Sequence, residues 1–238
     1  MRLLLTRPAQ DSVALAAELE RRGHTAVVEP MLDIRPLPHA PLGLVGAQAI
    51  LLTSANGARA LLGRSVGHYM PIYAVGNATA RAARDAGFSR VESAAGDVEA
   101  LADLVIARLD PAAGRLVHVA GSAVAGDLAG RLIDAGFDVA RAVLYAAEPA
   151  TALSPACRDN LHAGSLDGAL FFSPRSARAF ARLVRAADCE DACRRVTGFF
   201  LSDAVAVADD LPWRARRIAA EPTQAALLAD IDNMDEGG

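Results

Sequence analysis

The stretch AILLTSANGARALL, residues 49–62, decides the fold, because its composition changes from strand to helix within a few residues. The apolar run at 50–52 is typical of a buried strand. Polar and small residues follow at 53–57, and Ser54 is placed to cap the helix that comes next. A strand that feeds a helix leaves unpaired N–H groups and the positive end of the helix dipole at one edge of a sheet. The stretch therefore predicts an anion-binding turn.

A second copy of this stretch, GALFFSPRSARAFA at residues 168–181, follows at an offset of 119. A further repeat, at an offset of 113, relates the first helix of the chain to a helix near its middle. The chain therefore contains two copies of one unit of alternating strands and helices, which predicts an α/β protein with parallel sheets covered by helices on both faces. The matching pairs are Leu51 and Leu170, Ser54 and Ser173, Ala58 and Ala177, Arg59 and Arg178, Ala60 and Ala179, then Leu3 and Leu116, Leu15 and Leu128, Leu19 and Leu132, Gly23 and Gly136.

Two proline-bearing connectors, near 35–47 and 147–166, interrupt this pattern. Proline is excluded from helix interiors, so the first connector is expected to be extended, and both connectors are expected to lack regular core contacts. Breaks at the connectors predict an inserted domain, about 38–146, within a discontinuous domain made of 1–35 and 150–238. We therefore expect two lobes joined by a two-stranded hinge.

Composition excludes several classes of function. A net charge of −4, from 24 basic and 28 acidic residues, gives no reason to expect nucleic acid or an anionic membrane surface. Every basic residue is arginine, and the absence of lysine excludes Schiff-base chemistry. The N-terminus lacks a signal-peptide pattern and no long apolar span occurs, so we expect a cytoplasmic protein. Cys157, Cys189 and Cys193 lack the spacing of a disulfide framework or metal site, so we expect ordinary reduced cysteines.

Six strand–helix junctions carry small or polar residues. In open α/β sheets such junctions lie at the carboxyl ends of the strands, where ligands bind. Their N–H groups and hydroxyls suit a ligand with several carboxylates. Each residue taken singly is also explained as a helix cap, but their recurrence on both lobes favours a binding cleft between the lobes. The candidate residues are Thr6, Arg7, Thr53, Ser54, Asn56, Gly76, Asn77, Thr79, Gly121, Ser122, Ser173, Arg175, Ser176 and Ser202.

Conventional catalytic motifs are absent, since neither a dinucleotide-binding glycine pattern, nor a P-loop, nor a hydrolase elbow occurs. His118 lies in an apolar strand and is expected to be a buried core residue. Asp209 and Asp210 are expected to be surface charges late in a helix, and the acidic tail 232–238 is expected to fray. Tyr145, at the end of VARAVLY, is either a proton donor to a leaving oxygen or a strand-end aromatic packed at the domain boundary.

Five motifs resemble, in the same order, those of the uroporphyrinogen-III synthase family. The resemblance spans nearly the whole chain, and VGNATA and FFSPRSA are its most specific parts. It implies a HemD-like, flavodoxin-like fold of two similar α/β lobes. The motifs are LLLTRP at 3–8, LLTSANGARAL at 51–61, YAVGNATARAARDAG at 73–87, AVLYAAEP at 142–149 and FFSPRSA at 171–177.

The resemblance also implies a reaction, that of a cyclising lyase in porphyrin and heme biosynthesis. Members of the family convert hydroxymethylbilane, a linear tetrapyrrole octacarboxylate, into uroporphyrinogen III with loss of water and inversion of ring D. No cofactor or metal takes part. Tyr145 matches the tyrosine proposed to assist departure of the hydroxyl, and the junction residues would hold the carboxylates. The turn Leu201-Ser202-Asp203-Ala204 departs from the Gly-Pro-Thr-Thr of many members and would place a carboxylate near an anionic substrate.

A rival interpretation, from another class, is a non-catalytic bilobal binding module for a carboxylated metabolite. Both interpretations predict an anion-lined cleft, and they differ in turnover and not in fold. In either case we expect a monomer with a small-molecule ligand, without a nucleic-acid or membrane partner. We also expect the hydroxyl of Ser54 to matter less than the N–H groups that it organises.

Overall fold

Short apolar strands alternate with helices along almost the whole chain, as the repeats predict. The computed structural model describes residues 1–122 and 126–235. It divides into two units: unit 1 comprises Met1–Asp33 and Glu148–Gly238, and unit 2 comprises Ile34–Ala147. Unit 2 is therefore an insertion in the sequence, and unit 1 is assembled from two separate segments.

The secondary structure follows the strand–turn–helix pattern in both units. In chain order the strands are β1 (Arg2–Leu5), β2 (Thr25–Val28), β3 (Leu32–Pro36), β4 (Ala47–Leu52), β5 (Ile72–Ala74), β6 (Val91–Ser93), β7 (Arg115–Gly121), β8 (Val139–Pro149), β9 (Gly168–Phe171), β10 (Thr197–Phe200) and β11 (Ala215–Ile218). The helices are α1 (Ala9–Arg21), α2 (Ala55–Ala60), α3 (Asn77–Asp85), α4 (Val98–Arg108), α5 (Leu128–Asp134), α6 (Pro155–Ala163), α7 (Pro174–Ala186), α8 (Asp203–Ala206) and α9 (Gln224–Asp235), with 3₁₀ turns at Pro111–Ala113 and Glu190–Arg195.

The two sheets share one strand order, which the sequence repeats explain. In unit 1 the order is β2-β1-β9-β10-β11, with parallel pairing throughout. In unit 2 the order is β8-β7-β4-β5-β6, again parallel, with β3 added beside β8. By the repeats, β7 corresponds to β1 and β4 corresponds to β9. Both sheets thus have the flavodoxin-like order, but the chain enters the sheet of unit 2 at a different strand. The predicted pair of parallel sheets is confirmed.

Apolar side chains cover both faces of each sheet, because alternate residues of a strand point to opposite faces. In β1, Leu3 and Leu5 pack with Leu15 and Leu19 of α1, whereas Leu4 belongs to the core on the opposite face. All five side chains are buried, and full burial of each contributes about 1.5–3 kcal/mol to folding. Helices on both faces are therefore a direct consequence of strands that are apolar on both sides.

The second proline-bearing connector contains a helix, α6, that packs in a core, contrary to the expectation of a connector without regular core contacts. Ser154 caps α6 by accepting the N–H of Cys157 at 3.1 Å, and a proline occupies the first turn. Gly164 ends the helix in the left-handed conformation, with φ of 62°. Cys157 and Leu161 are buried in the core of unit 1. The Ser-Pro start and the Gly stop were present in the sequence, and they outweigh the absence of a long apolar period.

Asp209 is buried, so the prediction that it is a surface charge is wrong. It follows the end of α8, and its Oδ1 accepts the N–H of Leu211 at 3.0 Å, the indole N–H of Trp213 at 2.9 Å and the guanidinium of Arg216 at 2.8 Å. The adjacent Asp210 keeps 83% of its side chain exposed, as predicted. A buried carboxylate is retained here because three donors converge on one of its oxygens.

Helix α9 extends into the acidic tail that was expected to fray. Asp232 of α9 pairs with Arg22, which follows α1, and this ion pair ties the last turns of the helix to the N-terminal part of the chain. The final residues of the predicted tail, 236–238, lie outside the described residues.

We expect Asp209→Ala to lower the free energy of unfolding by about 3 kcal/mol, the lower end for breaking a buried ion pair. The lower end applies because Arg216 keeps 33% of its side chain exposed. Asp210→Ala is the matched control and should cost less than about 1 kcal/mol. Trp213 is the single tryptophan of the chain, so urea unfolding followed by its fluorescence measures both variants. Equal losses in the two variants would contradict the structural role of Asp209.

Candidate functional site

The carboxyl edge of the sheet in unit 2 brings several predicted site residues together. Strand order reverses between β7 and β4, and ligands of such sheets bind in the crevice at this switch point. The chain leaves β4 through Thr53 and Ser54, and it leaves β7 through Gly121 and Ser122. Tyr145 on β8 is paired with Gly121 at the same level. One edge therefore holds four candidate binding residues and the candidate catalytic tyrosine.

A hydrogen bond joins the two most informative of these residues. The phenol Oη of Tyr145 lies 2.7 Å from Oγ of Ser54, and either atom can be the donor. The same Oγ accepts the N–H of Gly57 at 3.3 Å, so the predicted cap on α2 is confirmed. Tyr145 is only 8% exposed. Packing and the bond to Ser54 together therefore fix the orientation of the phenol.

A register shift in the pairing of β7 with β8 places Tyr145 beside Gly121. The strands pair in step up to Ala120, and one residue of β8 is then skipped. A Cβ atom on Gly121 would lie 2.6 Å from Cε2 of Tyr145, so this position accommodates the ring only as glycine. The N–H of Ser122 donates to the carbonyl of Tyr145 at 2.9 Å and holds the strand after the shift. The irregularity thus aims the tyrosine at the crevice, a common use of bulges beside active sites.

His118 and Arg141 support the same edge from β7 and β8. His118 is buried, as predicted, and its Nε2 lies 3.2 Å from Oγ1 of Thr53. Burial, and then the positive charge of Arg141, lower the pKa of His118 to about 4, so its imidazole is neutral at neutral pH. Arg141 donates to the carbonyl oxygens of Gly121 at 2.6 Å and Ser122 at 3.1 Å. Sequence reasoning missed Arg141, although an arginine inside the apolar run VARAVLY was a usable signal.

The remaining candidates of unit 2 lie at the neighbouring helix starts. Gly76 precedes α3 in an extended conformation, and Asn77 is the first residue of that helix. Thr79, in the first turn, is buried. In α2, Asn56 accepts from the guanidinium of Arg59 at 2.7 Å. These residues place N–H groups at the ends of β5 and β4, and the hydroxyl of Thr79 lies below the surface.

In unit 1 the equivalent crevice lies between β1 and β9. Thr6 is fully buried, and its hydroxyl donates to the carbonyl of Leu170 at 2.6 Å, so the donor is used inside the sheet. Ser173, the repeat counterpart of Ser54, caps α7 by accepting the N–H of Ser176 at 3.2 Å. The two serine hydroxyls lie 3.0 Å apart. The two copies of the turn therefore share the cap, whereas the hydroxyl bonds a tyrosine in unit 2 and a serine in unit 1.

The other candidates of unit 1 lie at the starts of its helices. The guanidinium of Arg7 lies 4.6 Å from the ring centroid of Phe172 and donates to Gln224 at 3.0 Å. Arg175 is in the first turn of α7, and Ser202 precedes α8 without a side-chain cap bond. The divergent turn places an aspartate in the first turn of α8.

The described part of the chain offers no obvious ligand set for a metal. Within residues 1–122 and 126–235, no three His, Cys, Asp or Glu side chains are grouped so as to hold an ion. The three cysteines are free and buried. Burial raises the pKa of the Cys157 and Cys193 thiols to about 12, which keeps both protonated. No helix in the described ranges is long and apolar enough to cross a membrane.

Comparison with known families decides the assignment. A family model described as uroporphyrinogen-III synthase HemD matches residues 13–229, which is most of the chain. The chain belongs to the uroporphyrinogen-III synthase family. The resemblance carried by the five motifs is thereby confirmed, and with it the expectation of an enzyme, a cyclising lyase of porphyrin and heme biosynthesis.

Solved structures of uroporphyrinogen-III synthases share the fold. The enzyme from Helicobacter pylori 26695 aligns with a TM-score of 0.67 and 16% identity, over 98% of this chain and 100% of that chain. A mutant enzyme from the extremely thermophilic bacterium Thermus thermophilus aligns with a TM-score of 0.55 and 17% identity, over 100% of both chains. At these identities the likeness concerns the fold, and it confirms the HemD-like α/β class. No curated protein matches this chain.

We expect Gly121→Ala to displace the ring of Tyr145 and to lower the free energy of unfolding by about 1–3 kcal/mol, as for other overpacked sites. The displaced phenol would lose its bond to Ser54, so turnover should fall as well. Gly67→Ala is the control within unit 2, because a Cβ there meets nothing within 4 Å. Urea unfolding and turnover are measured for both variants. A Gly121→Ala protein with unaltered stability and turnover would show that the ring does not need this space.

The neutral state of His118 predicts a pH dependence of stability. Its pKa is about 4 in the folded protein and 6.5 in the unfolded chain, so the unfolded chain takes up the proton first as the pH falls. The contribution of the neutral imidazole is complete above about pH 6.5 and is lost between about pH 6.5 and pH 4. The difference in free energy of unfolding between wild type and His118→Gln should therefore shrink across this window. Urea unfolding at several pH values measures it, and a constant difference would contradict the assignment.

Proposed function

We propose that this chain converts hydroxymethylbilane into uroporphyrinogen III, with release of water and inversion of ring D. The observation that carries the proposal is the hydrogen bond between Tyr145 and Ser54, which sets a phenol at the carboxyl edge of the sheet in unit 2. The chain belongs to the uroporphyrinogen-III synthase family, and in the reaction of that family a phenol at this edge can donate a proton to the departing hydroxyl.

The first step requires a proton and a fixed geometry. Electrons from the pyrrole nitrogen drive out the terminal hydroxyl as its C–O bond breaks. The hydroxyl takes the phenolic proton of Tyr145 and leaves as water, and the tetrapyrrole becomes an azafulvene. The substituted carbon of ring D then attacks this electrophile and forms a spiro intermediate, which fragments and recloses with ring D inverted. The proton that the tetrapyrrole loses returns to the phenolate, so the enzyme ends in its starting state.

The substrate carboxylates are proposed to bind the N–H groups and hydroxyls at the carboxyl edges of the sheets. In unit 2, the exposed Ser122 and the N–H groups at the start of α3 lie at this edge and can donate to a carboxylate. The positive charge of Arg141 lies beside Ser122 and favours an anion there. His118 is neutral and adds no charge. This chain contains no lysine. The absence suits the reaction, because the amine of a lysine would attack the electrophilic azafulvene.

The setting proposed for the enzyme is a monomer in the cytoplasm that needs no cofactor and binds no nucleic acid. The pyrrole nitrogens of the substrate supply the electrons for ionisation, which removes the need for a cofactor. Free, buried cysteines suit a reducing compartment. The net charge of −4 favours neither nucleic acid nor an anionic membrane. Sedimentation of the purified protein at several concentrations tests the monomer.

We expect Tyr145→Phe to reduce kcat by about a hundredfold, the lower end of the contribution of a general acid, with little change in KM or stability. Tyr69→Phe is the matched control, because Tyr69 is 78% exposed in the same unit, and its kcat should be unchanged. Hydroxymethylbilane is generated in situ and the product isomers are separated by chromatography. Spontaneous closure gives isomer I, so a wild-type protein that yields only isomer I would favour the binding-module alternative. Full activity of Tyr145→Phe would remove the phenol from the mechanism.

A further inference from the structure

We propose that Ser54 is a positioning residue whose hydroxyl donates to the phenolic oxygen of Tyr145 and stabilises the phenolate formed during water loss. The inference rests on the proposed function and assigns a chemical role to a hydroxyl that the sequence explains fully as a helix cap. It follows from the 2.7 Å separation of the two oxygens, the typical distance of an O–H···O hydrogen bond.

The hydrogen-bonding capacity of Ser54 allows it to donate to Tyr145 while it caps α2. The oxygen of Ser54 already accepts the N–H of Gly57 at 3.3 Å, and a serine hydroxyl has a single proton to donate. Tyr145 provides an acceptor for that proton at 2.7 Å. When Ser54 donates, the proton of the phenol points away from the serine and is available to the leaving hydroxyl. The resulting chain runs from the N–H of Gly57 through Ser54 to Tyr145, and each bond in such a chain polarises the next.

The bond between Ser54 and Tyr145 gains strength as the reaction proceeds. A phenolate has no proton and can only accept, so Ser54 must be the donor once Tyr145 has released its proton. A hydrogen bond to an ionised acceptor is roughly twice as strong as one between neutral groups. An interaction that is stronger in the transition state than in the ground state raises kcat and leaves KM largely unaffected. The hydroxyl of Ser54 is therefore expected to act on turnover.

The tyrosine ring has other supports, so removal of the Ser54 hydroxyl is a clean change. The close approach of Gly121 and the bond from the N–H of Ser122 to the carbonyl of Tyr145 hold the ring and its backbone in place. The repeat counterpart, Ser173, caps its helix in the same way but lies against the hydroxyl of Ser176 at 3.0 Å. Capping is thus common to both copies of the turn, whereas the bond to a tyrosine is a feature of unit 2.

The test is a double-mutant cycle on kcat, with product isomers separated as above. We expect Ser54→Ala to lower kcat by roughly ten- to a hundredfold, as for a lost hydrogen bond to a charged group, with KM changed by less than about twofold. In the Tyr145→Phe background, Ser54→Ala should cause no further loss of kcat, because Ser54 acts only by stabilising the phenolate of Tyr145. Ser54→Thr keeps the hydroxyl and the cap, and it should restore most of the turnover.

A control separates loss of the cap from loss of the proton path. Thr223 caps α9 by accepting the N–H of Ala226 at 3.2 Å and is not among the candidate site residues. Thr223→Ala should lose a similar amount of stability to Ser54→Ala and keep the wild-type kcat. Multiplicative effects of Ser54→Ala and Tyr145→Phe, or a Ser54→Thr protein as slow as Ser54→Ala, would overturn the inference alone. A wild-type protein that yields only isomer I would overturn the proposed function, and the inference with it.

Discussion

Parallel pairing of β4 with β7 is the interaction on which the candidate site depends. Ile50 is paired with Val117, and Leu52 with Val119, so the two strands end at nearly the same level of the sheet. The polar residues that follow each strand meet at that edge because both chains run in the same direction. A shift of one residue in this register would move the residues that follow β4 out of line with those that follow β7. The register of the two strands therefore also determines which polar groups face one another beyond their ends.

The fold could be predicted because its signals are local and occur twice. Strand, cap and helix follow each other within about a dozen residues, and each copy of the repeat supports the interpretation of the other. The failures have local causes as well. Helix α6 is short and was hidden by prolines, although Ser154 and Gly164 marked both of its ends. Asp209 looked like part of a helical surface because α8 was expected to continue, whereas α8 ends at Ala206 and the chain turns inward.

The positions of the candidate site residues followed from the sequence, but their contacts did not. That Ser54 lies at a helix start is readable from its neighbours. That its hydroxyl bonds Tyr145 depends on a register shift beside Gly121, which leaves no mark in the apolar pattern of β7 or β8. The expectation that the Ser54 hydroxyl matters less than the N–H groups around it follows from the helix start alone, which does not contain this partner. Local sequence patterns predict which polar groups lie at the edge of a sheet. Only tertiary packing determines which of those groups form hydrogen bonds with one another.

The order of synthesis on the ribosome separates the two units in time. Ile34–Ala147 is one contiguous segment, so the synthesis of unit 2 is complete before that of unit 1. Strand β1 reaches its central place only when β9 has emerged, since Leu3 is paired with Gly168 and Leu5 with Leu170. At about 5–20 residues per second, the nascent chain carries the open edge of β1 for roughly 10 to 30 s. During that interval the three leucines of β1 lack their partner strand on that side, and the strand can pair with a wrong one. Early folding of the inserted unit reduces the number of unpaired strands with which β1 could pair.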